Sequence, residues 1–157
     1  MITMAAIASN APAIRPRTID WEELLPPQER GRQFDPPAPR HDYLGEAAPA
    51  MKQTGSFKVN ARLNSTVLRV PGFIVPLTLR RNGNVSEFFL VPYFGACIHV
   101  PPPPPNQIIY VTFATPQRIV TIYDAYWVTG QMTITRKSLA LAQAAYSMKG
   151  SKLEIYQ

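Results

Sequence analysis

Two metal-binding residue types stand close together in the stretch GACIH, where one residue separates Cys97 from His99. Cys97 is the single cysteine of the chain, and His41 is the other histidine. In an extended strand, residues i and i+2 lie on one face, so the thiol and the imidazole could close on one ion. Thiolate and imidazole both bind zinc and copper well. The spacing therefore favours a divalent-metal site, with zinc expected before copper and His41 as a weaker third ligand.

Two other interpretations of these residues stay open. Cysteine is among the residue types most often buried, so Cys97 also fits an inert position in the core. A thiol-dependent hydrolase needs an imidazole within hydrogen-bond reach of the thiol, and i to i+2 along a strand is too far for that. His41 would then have to approach from a distant part of the chain. We assign no catalytic residue and expect a protein that binds rather than catalyses.

A run of prolines follows the cysteine almost directly. Such a run favours a left-handed polyproline helix, with about 3.1 Å of rise per residue and no internal hydrogen bonds. A rigid rod of this kind can span one end of a domain or present an edge to an aromatic groove. Two side-chain amides at its end can tie it to neighbouring backbone. The predicted ledge for a partner consists of Pro101, Pro102, Pro103, Pro104, Pro105, Asn106 and Gln107.

Composition and charge exclude several classes of function. The net charge is +6, but Arg118 is the only Lys or Arg between residues 82 and 135. A groove that tracks phosphates needs clustered cations beside aromatic platforms, so nucleic acid is not an expected partner. There is no apolar run of about 18 residues, so no transmembrane segment is predicted. The first residues lack early basic residues and a sustained apolar stretch, so no signal peptide is predicted.

The first third of the chain is predicted to be an arm. Residues 1–55 hold eight of the 17 prolines and show no sustained hydrophobic periodicity. A short helix is predicted near 20–25, because Asp20 can cap its first N–H groups and Glu23 completes a capping box. So short a helix is marginal in water, and Trp21 is therefore expected to dock on the chain's own domain or on a partner.

Residues 56–157 are predicted to form a β-barrel domain. Asn82-Gly83 is a strong hairpin signal, because its turn requires positive φ angles. A turn of helix is expected near 138–144, with a closing strand after it. Short strands with little helix predict a mainly β fold, a small, partly open β-barrel of the OB type with one or two short helices. The predicted strands before the closing one are 67–79, 86–94, 108–115, 118–123 and 126–135.

At VPGFIVPL, FFLVPYFGACIHVPPPPPNQIIYV and YWVTGQM the chain resembles the bacterial domain-of-unknown-function family numbered 3299, found in exported envelope proteins. The resemblance runs from about Trp21 to the C-terminus and is tightest over 67–130. It implies a periplasmic location and, because no export signal is predicted, a mature or trimmed chain. Members occur beside ABC-type permeases, some of them tied to zinc supply, which implies an accessory role in transport.

The leading expectation is therefore a non-catalytic periplasmic accessory protein. It would bind a divalent metal, zinc before copper, or an ABC-transporter component, or both. The alternative is a structural protein–protein docking module that holds no metal and in which Cys97 is inert. A thiol-dependent hydrolase is the third interpretation.

Overall fold

A small closed β-barrel forms the body of the protein in the computed structural model, which describes residues 15–31, 52–78, 80–98 and 100–157. The strands within these residues are β1 (Arg17–Thr18), β2 (Val67–Pro76), β3 (Asn84–Val91), β4 (Ile109–Arg118), β5 (Ala125–Thr133), β6 (Lys137–Ser138), β7 (Gln143–Ala144) and β8 (Tyr146–Ile155). The helices there are single 3₁₀ turns: Glu22–Leu24, Pro27–Glu29, Ala61–Leu63 and Pro105–Gln107.

The strand order identifies the barrel. Around its wall the order is β2-β3-β4-β8-β5, and β5 pairs back onto β2. β4 and β8 are parallel, whereas the other neighbours are antiparallel. Five strands in this order, with this one parallel pair, have the topology of an OB barrel. The predicted mainly β, OB-like fold is thus confirmed, and the barrel is closed where a partly open one was predicted.

Alternating side chains explain why these segments form barrel strands. In β2, Leu68, Val70 and Ile74 are buried in the barrel, while Arg69 and Phe73 face away from its interior. Successive side chains of a strand point to opposite faces, so one face fills the barrel. We call the side chains that fill it the inner core, and it includes Phe88, Val111, Tyr126, Val128, Met132, Tyr146 and Met148.

Residues 119–124 form a loop, so the strand predicted over 118–123 is wrong. β4 instead runs on through Pro116, beyond the predicted end at residue 115. Pairing between β3 and β4 is interrupted from Thr112 to Gln117. A proline that faces no ladder partner loses nothing by lacking an N–H group, so β4 accommodates it.

The helical turn predicted near 138–144 is also wrong. This stretch forms the hairpin of β6 and β7, in which Lys137 pairs with Ala144 and Ser138 with Gln143. Ala142 and Ala144 are buried against the outside of the barrel. Burial of this face outweighs the intrinsic helix preference of alanine, which is a weak determinant. The strand predicted to follow is present as β8.

A second hydrophobic cluster lies outside the barrel, on the outward faces of β2, β3 and β4. It is covered by the long β3–β4 loop and by the β6–β7 hairpin. The sheet is therefore apolar on both faces here, as expected for a sheet covered by other parts of the chain. We call this cluster the outer core, and it consists of Val75, Phe89, Val91, Ala96, Ile108, Ala142 and Ala144.

The segment 15–31 packs on the barrel of its own chain. β1 adds in parallel to β2, and the short predicted helix is present as the turn Glu22–Leu24. The Asp20 carboxylate accepts from the backbone N–H of Glu23 at 3.1 Å, although Asp20 lies one residue before the N-cap, and the Glu23 carboxylate accepts from Arg17 at 2.8 Å. The Trp21 indole donates to the Pro71 carbonyl at 2.6 Å. Trp21 therefore docks within the chain. In the described residues, no helix is long and apolar enough to cross a bilayer.

Candidate functional site

Cys97 lies in a turn of the β3–β4 loop, and the strand assumed for it in the sequence is wrong. The φ angle of Cys97 is 66°, in the left-handed region, and that of Gly95, two residues earlier, is 80°. The Gly95 carbonyl accepts from the N–H groups of Ile98 and Val100, both at 3.2 Å, and closes the turn. The argument that residues i and i+2 share one face of a strand therefore does not apply at Cys97. His99 and His41 lie outside the described residues, so their predicted roles as ligands stay predictions.

The Cys97 side chain packs, half buried, against the outer core. Burial raises the pKa of its thiol to about 12, because an apolar surrounding disfavours the thiolate. Both nucleophilic attack and metal ligation need the thiolate. The described residues contain no group of three or more His, Cys, Asp or Glu side chains that could hold a metal. What the structure describes around Cys97 therefore fits an inert packing position.

The proline run is largely internal. Pro102, Pro103 and Pro105 are buried, and Pro101 and Pro104 are half buried. The residues before Pro105 have no regular secondary structure, and Pro105 begins a 3₁₀ turn, so the polyproline helix predicted for all five is not continued to its end. As a contact surface for a partner, the run offers only parts of Pro101 and Pro104.

Asn106 and Gln107 join the segments that surround the barrel. Asn106 is 1 % exposed, and its amide donates to the Lys58 carbonyl at 2.8 Å and to the Glu29 carboxylate at 3.1 Å. The Gln107 amide donates to the Trp21 carbonyl at 3.0 Å. Buried polar groups that find several partners fix one arrangement of the chain. These two amides therefore fasten residues 15–31 and 52–60 to the barrel.

Two backbone carbonyls of the proline run also accept hydrogen bonds from other parts of the chain. The Gln53 amide donates to the Pro103 carbonyl at 2.8 Å and to the Gln143 carbonyl at 2.9 Å. The N–H of Ala145 donates to the Pro105 carbonyl at 2.8 Å. The run thus links the segment before the barrel to the end of the β6–β7 hairpin.

The face that OB barrels commonly use for ligands is covered by this chain itself. Oligonucleotides and oligosaccharides bind on the second and third barrel strands, which correspond here to β3 and β4. On that outward face Phe89 and Val91 are 0 % exposed, because they belong to the outer core, which the β3–β4 loop and the β6–β7 hairpin cover. This face is therefore not open for a ligand in the way that it is in OB barrels whose outer face is uncovered.

Exposed apolar side chains gather where β4 ends and β5 begins. Six of the seven large hydrophobic side chains that are exposed in the described residues lie on or beside this end, and the seventh is Leu141, in the β6–β7 hairpin. Large contiguous apolar patches, unlike single exposed side chains, are typical of interaction surfaces. We call this surface the apolar end, and it consists of Phe94, Ile98, Val120, Tyr123, Ile155 and Tyr156.

Aromatic contacts join the β3–β4 loop to the loop 119–124 and to β2. The Phe94 ring lies 5.4 Å from that of Tyr123 and 6.1 Å from that of Phe73, between centroids. A pocket of about 110 Å³ opens among them, with Ile98 and Ile122 in its wall and no charged residue in its lining. Such a volume suits one aliphatic side chain or the end of an acyl chain.

One hydroxyl fixes the loop behind this surface. Tyr126 accepts from the N–H groups of Val120 and Thr121 at 3.1 and 3.2 Å and donates to the Thr121 carbonyl at 2.9 Å. Val120 and Tyr123 are each 71 % exposed on this loop. The apolar end was not predicted from the sequence, because Val120 and Tyr123 were placed in a strand over 118–123. In a strand, alternation would have buried about half of these side chains.

The comparisons with known proteins agree with this fold. A family model described as "Protein of unknown function (DUF3299)" matches residues 21–155. The crystal structure of a DUF3299 family protein from Pseudomonas aeruginosa PAO1 is similar at 40% sequence identity and a TM-score of 0.73, covering 91% of this chain and 97% of that chain. No curated protein matches the chain.

Proposed function

The chain belongs to the DUF3299 family, and we propose that it is a non-catalytic docking module of the bacterial envelope. Its contact surface is the apolar end. The observation that carries this proposal is the uneven distribution of exposed apolar side chains, which gather at one end while the usual OB ligand face is covered. Removing exposed rings and aliphatic groups from water lowers the free energy, so a partner that covers them binds this end favourably.

The thiol supports binding rather than catalysis. A hydrolase would hold Cys97 as a thiolate beside a base, whereas burial raises the pKa of this thiol to about 12. The periplasmic location and an ABC-transporter component as partner are part of the same proposal. Their support is the resemblance to exported envelope proteins that occur beside such permeases.

Metal binding at Cys97, with His99 and His41 as further ligands, is our second proposal, zinc before copper. The observation that favours it is that the Cys97 side chain is half buried rather than sealed. A metal would have to lower the pKa of the thiol on binding, and proton release would accompany uptake.

Site-specific crosslinking in cells tests the docking proposal. A photoreactive phenylalanine analogue replaces Tyr123 in the full chain, and in a matched control it replaces Leu141, which is exposed in the β6–β7 hairpin. We expect an adduct with another envelope component from position 123 only. The additional substitution Ile98→Ser should weaken that adduct, because it removes a neighbouring apolar contact.

Two outcomes of the crosslinking would contradict the docking proposal. One is the same adduct from both positions, which would indicate random encounter. The other is an adduct from position 123 to the chain's own N-terminal residues, which would show that the apolar end is covered within the molecule.

A further inference from the structure

Cationic side chains border the apolar end. Arg80 and Arg81 lie in the turn between β2 and β3, and Arg118 ends β4; all three are exposed. Asn84, at the start of β3, pairs with Arg118, so this turn and the end of β4 lie side by side. The loop 119–124 follows directly and carries the two most exposed side chains of the apolar end. Three exposed cations thus lie together beside the apolar loop residues.

Carboxylates do little to offset these arginines. Asp124 is the single acidic residue of the loop 119–124. On the neighbouring strand β8, Glu154 is already paired with Lys152 at 2.9 Å, and it lies 3.7 Å from Arg69. The surface around the loop therefore combines net positive charge with protruding apolar side chains, since Val120 and Tyr123 are each 71 % exposed.

This combination fits the interfacial region of a bilayer better than the surface of a folded protein. Exposed aliphatic and aromatic side chains partition into the boundary between headgroups and acyl chains, and neighbouring arginines meet anionic headgroups. Side chains that stand out from the surface need a receiving concavity in a protein partner. A fluid lipid interface receives them without matching shape.

We propose that the apolar end seats on a bilayer surface that contains anionic phospholipids. The tips of the loop 119–124 and of the β3–β4 loop enter the interface, and Arg80, Arg81 and Arg118 contact headgroup phosphates. This inference rests on the proposed docking function, because it names what the docking surface binds. With the apolar end seated in this way, a membrane-embedded partner would contact the part of the barrel wall that neither residues 15–31 nor the segments over the outer core cover.

Vesicle partitioning of the full chain tests the inference. The probes are vesicles of phosphatidylcholine alone and of phosphatidylcholine mixed with phosphatidylglycerol, at low salt and at physiological ionic strength. We expect partitioning onto the mixed vesicles and a marked decrease with salt, because exposed charges are screened within about 10 Å at 0.1 M. Changing Arg80, Arg81 and Arg118 to Gln should lower the partition coefficient at low salt about a hundredfold, at about fivefold for each cation.

A second variant separates the apolar contribution from the charge. Ile98→Ser, Val120→Ser and Tyr123→Ser together leave the net charge unchanged and should lower partitioning onto the mixed vesicles by at least about tenfold. The matched controls are Leu141→Ser for the apolar set and Lys58→Gln, Arg62→Gln and Lys149→Gln for the basic set, all away from the apolar end. Both controls should partition as the unmodified chain does.

Three results would overturn the inference. The first is no partitioning of the unmodified chain at low salt. The second is an equal loss of partitioning in the Arg-to-Gln variant of the apolar end and in its basic control, which would show that net charge alone causes the attraction. The third is retained partitioning in the apolar variant. If partitioning fails while position 123 still captures one envelope protein in cells, the bilayer is the wrong partner and the docking function stands.

Discussion

Alkylation of Cys97 by iodoacetamide at neutral pH is expected to be about a thousandfold slower in the folded protein than for an unperturbed thiol. The thiolate is the reacting species, and burial raises the pKa of this thiol to about 12 from an ordinary value of 9.0. A shift of this size lowers the thiolate fraction by about three orders of magnitude. The rate is measured by mass spectrometry over time in the full chain.

The control for this experiment is an exposed thiol on the same fold. Ala114 is exposed in β4, so Ala114→Cys in a Cys97→Ser background should react at the rate of an ordinary cysteine. Unfolding the unmodified chain in urea should bring Cys97 to a similar rate. Fast alkylation of Cys97 in the folded protein would contradict packing as its role and would favour the hydrolase or the metal site.

Asn106→Ala is expected to lower the free energy of unfolding by about 3 kcal/mol. The amide is 1 % exposed and donates to both the Glu29 carboxylate and the Lys58 carbonyl. Removing it leaves the partly buried Lys58 carbonyl without this donor and takes one donor from the Glu29 carboxylate, and each of these losses costs about 1–3 kcal/mol. Urea unfolding, followed by circular dichroism and by tryptophan fluorescence, measures the change.

Two further variants make the result specific to the hydrogen bonds. Gln131→Ala removes an exposed amide from β5 and should change stability by no more than about 0.5 kcal/mol. Asn106→Asp should cost more than Asn106→Ala at neutral pH, because it sets a second carboxylate against Glu29, and the difference should narrow on acidification. Equal stability of Asn106→Ala and the unmodified chain would mean that the amide does not fasten the surrounding segments.

The barrel was predictable because its signals are local. The alternation of apolar and polar side chains along β5 and the Asn82-Gly83 turn each lie within a few residues of sequence, and the bond that Asp20 accepts from the backbone N–H of Glu23 spans three positions. Hydrophobic periodicity reports which face is buried, so it recovers strands without knowledge of their partners.

The errors came from segments whose structure depends on distant contacts. Residues 138–144 have helix-forming composition but are held as a hairpin against the outer core, and 119–124 look like a strand but are fixed as a loop by Tyr126. The partners of Asn106 are 48 and 77 residues away, and that of Gln107 is 86 residues away. No local pattern specifies such pairs. The apolar end was missed for the same reason, because it is assembled from three separate segments.

The measurement that tests the central claim most directly is titration of the metal-free full chain with zinc and copper, alongside Cys97→Ser and His99→Ala. If the block from Cys97 to Gln107 serves as packing and fastening, no stoichiometric uptake will depend on either residue. Tight one-to-one binding that both substitutions abolish, with the fold retained, would contradict that account and make this block a metal centre.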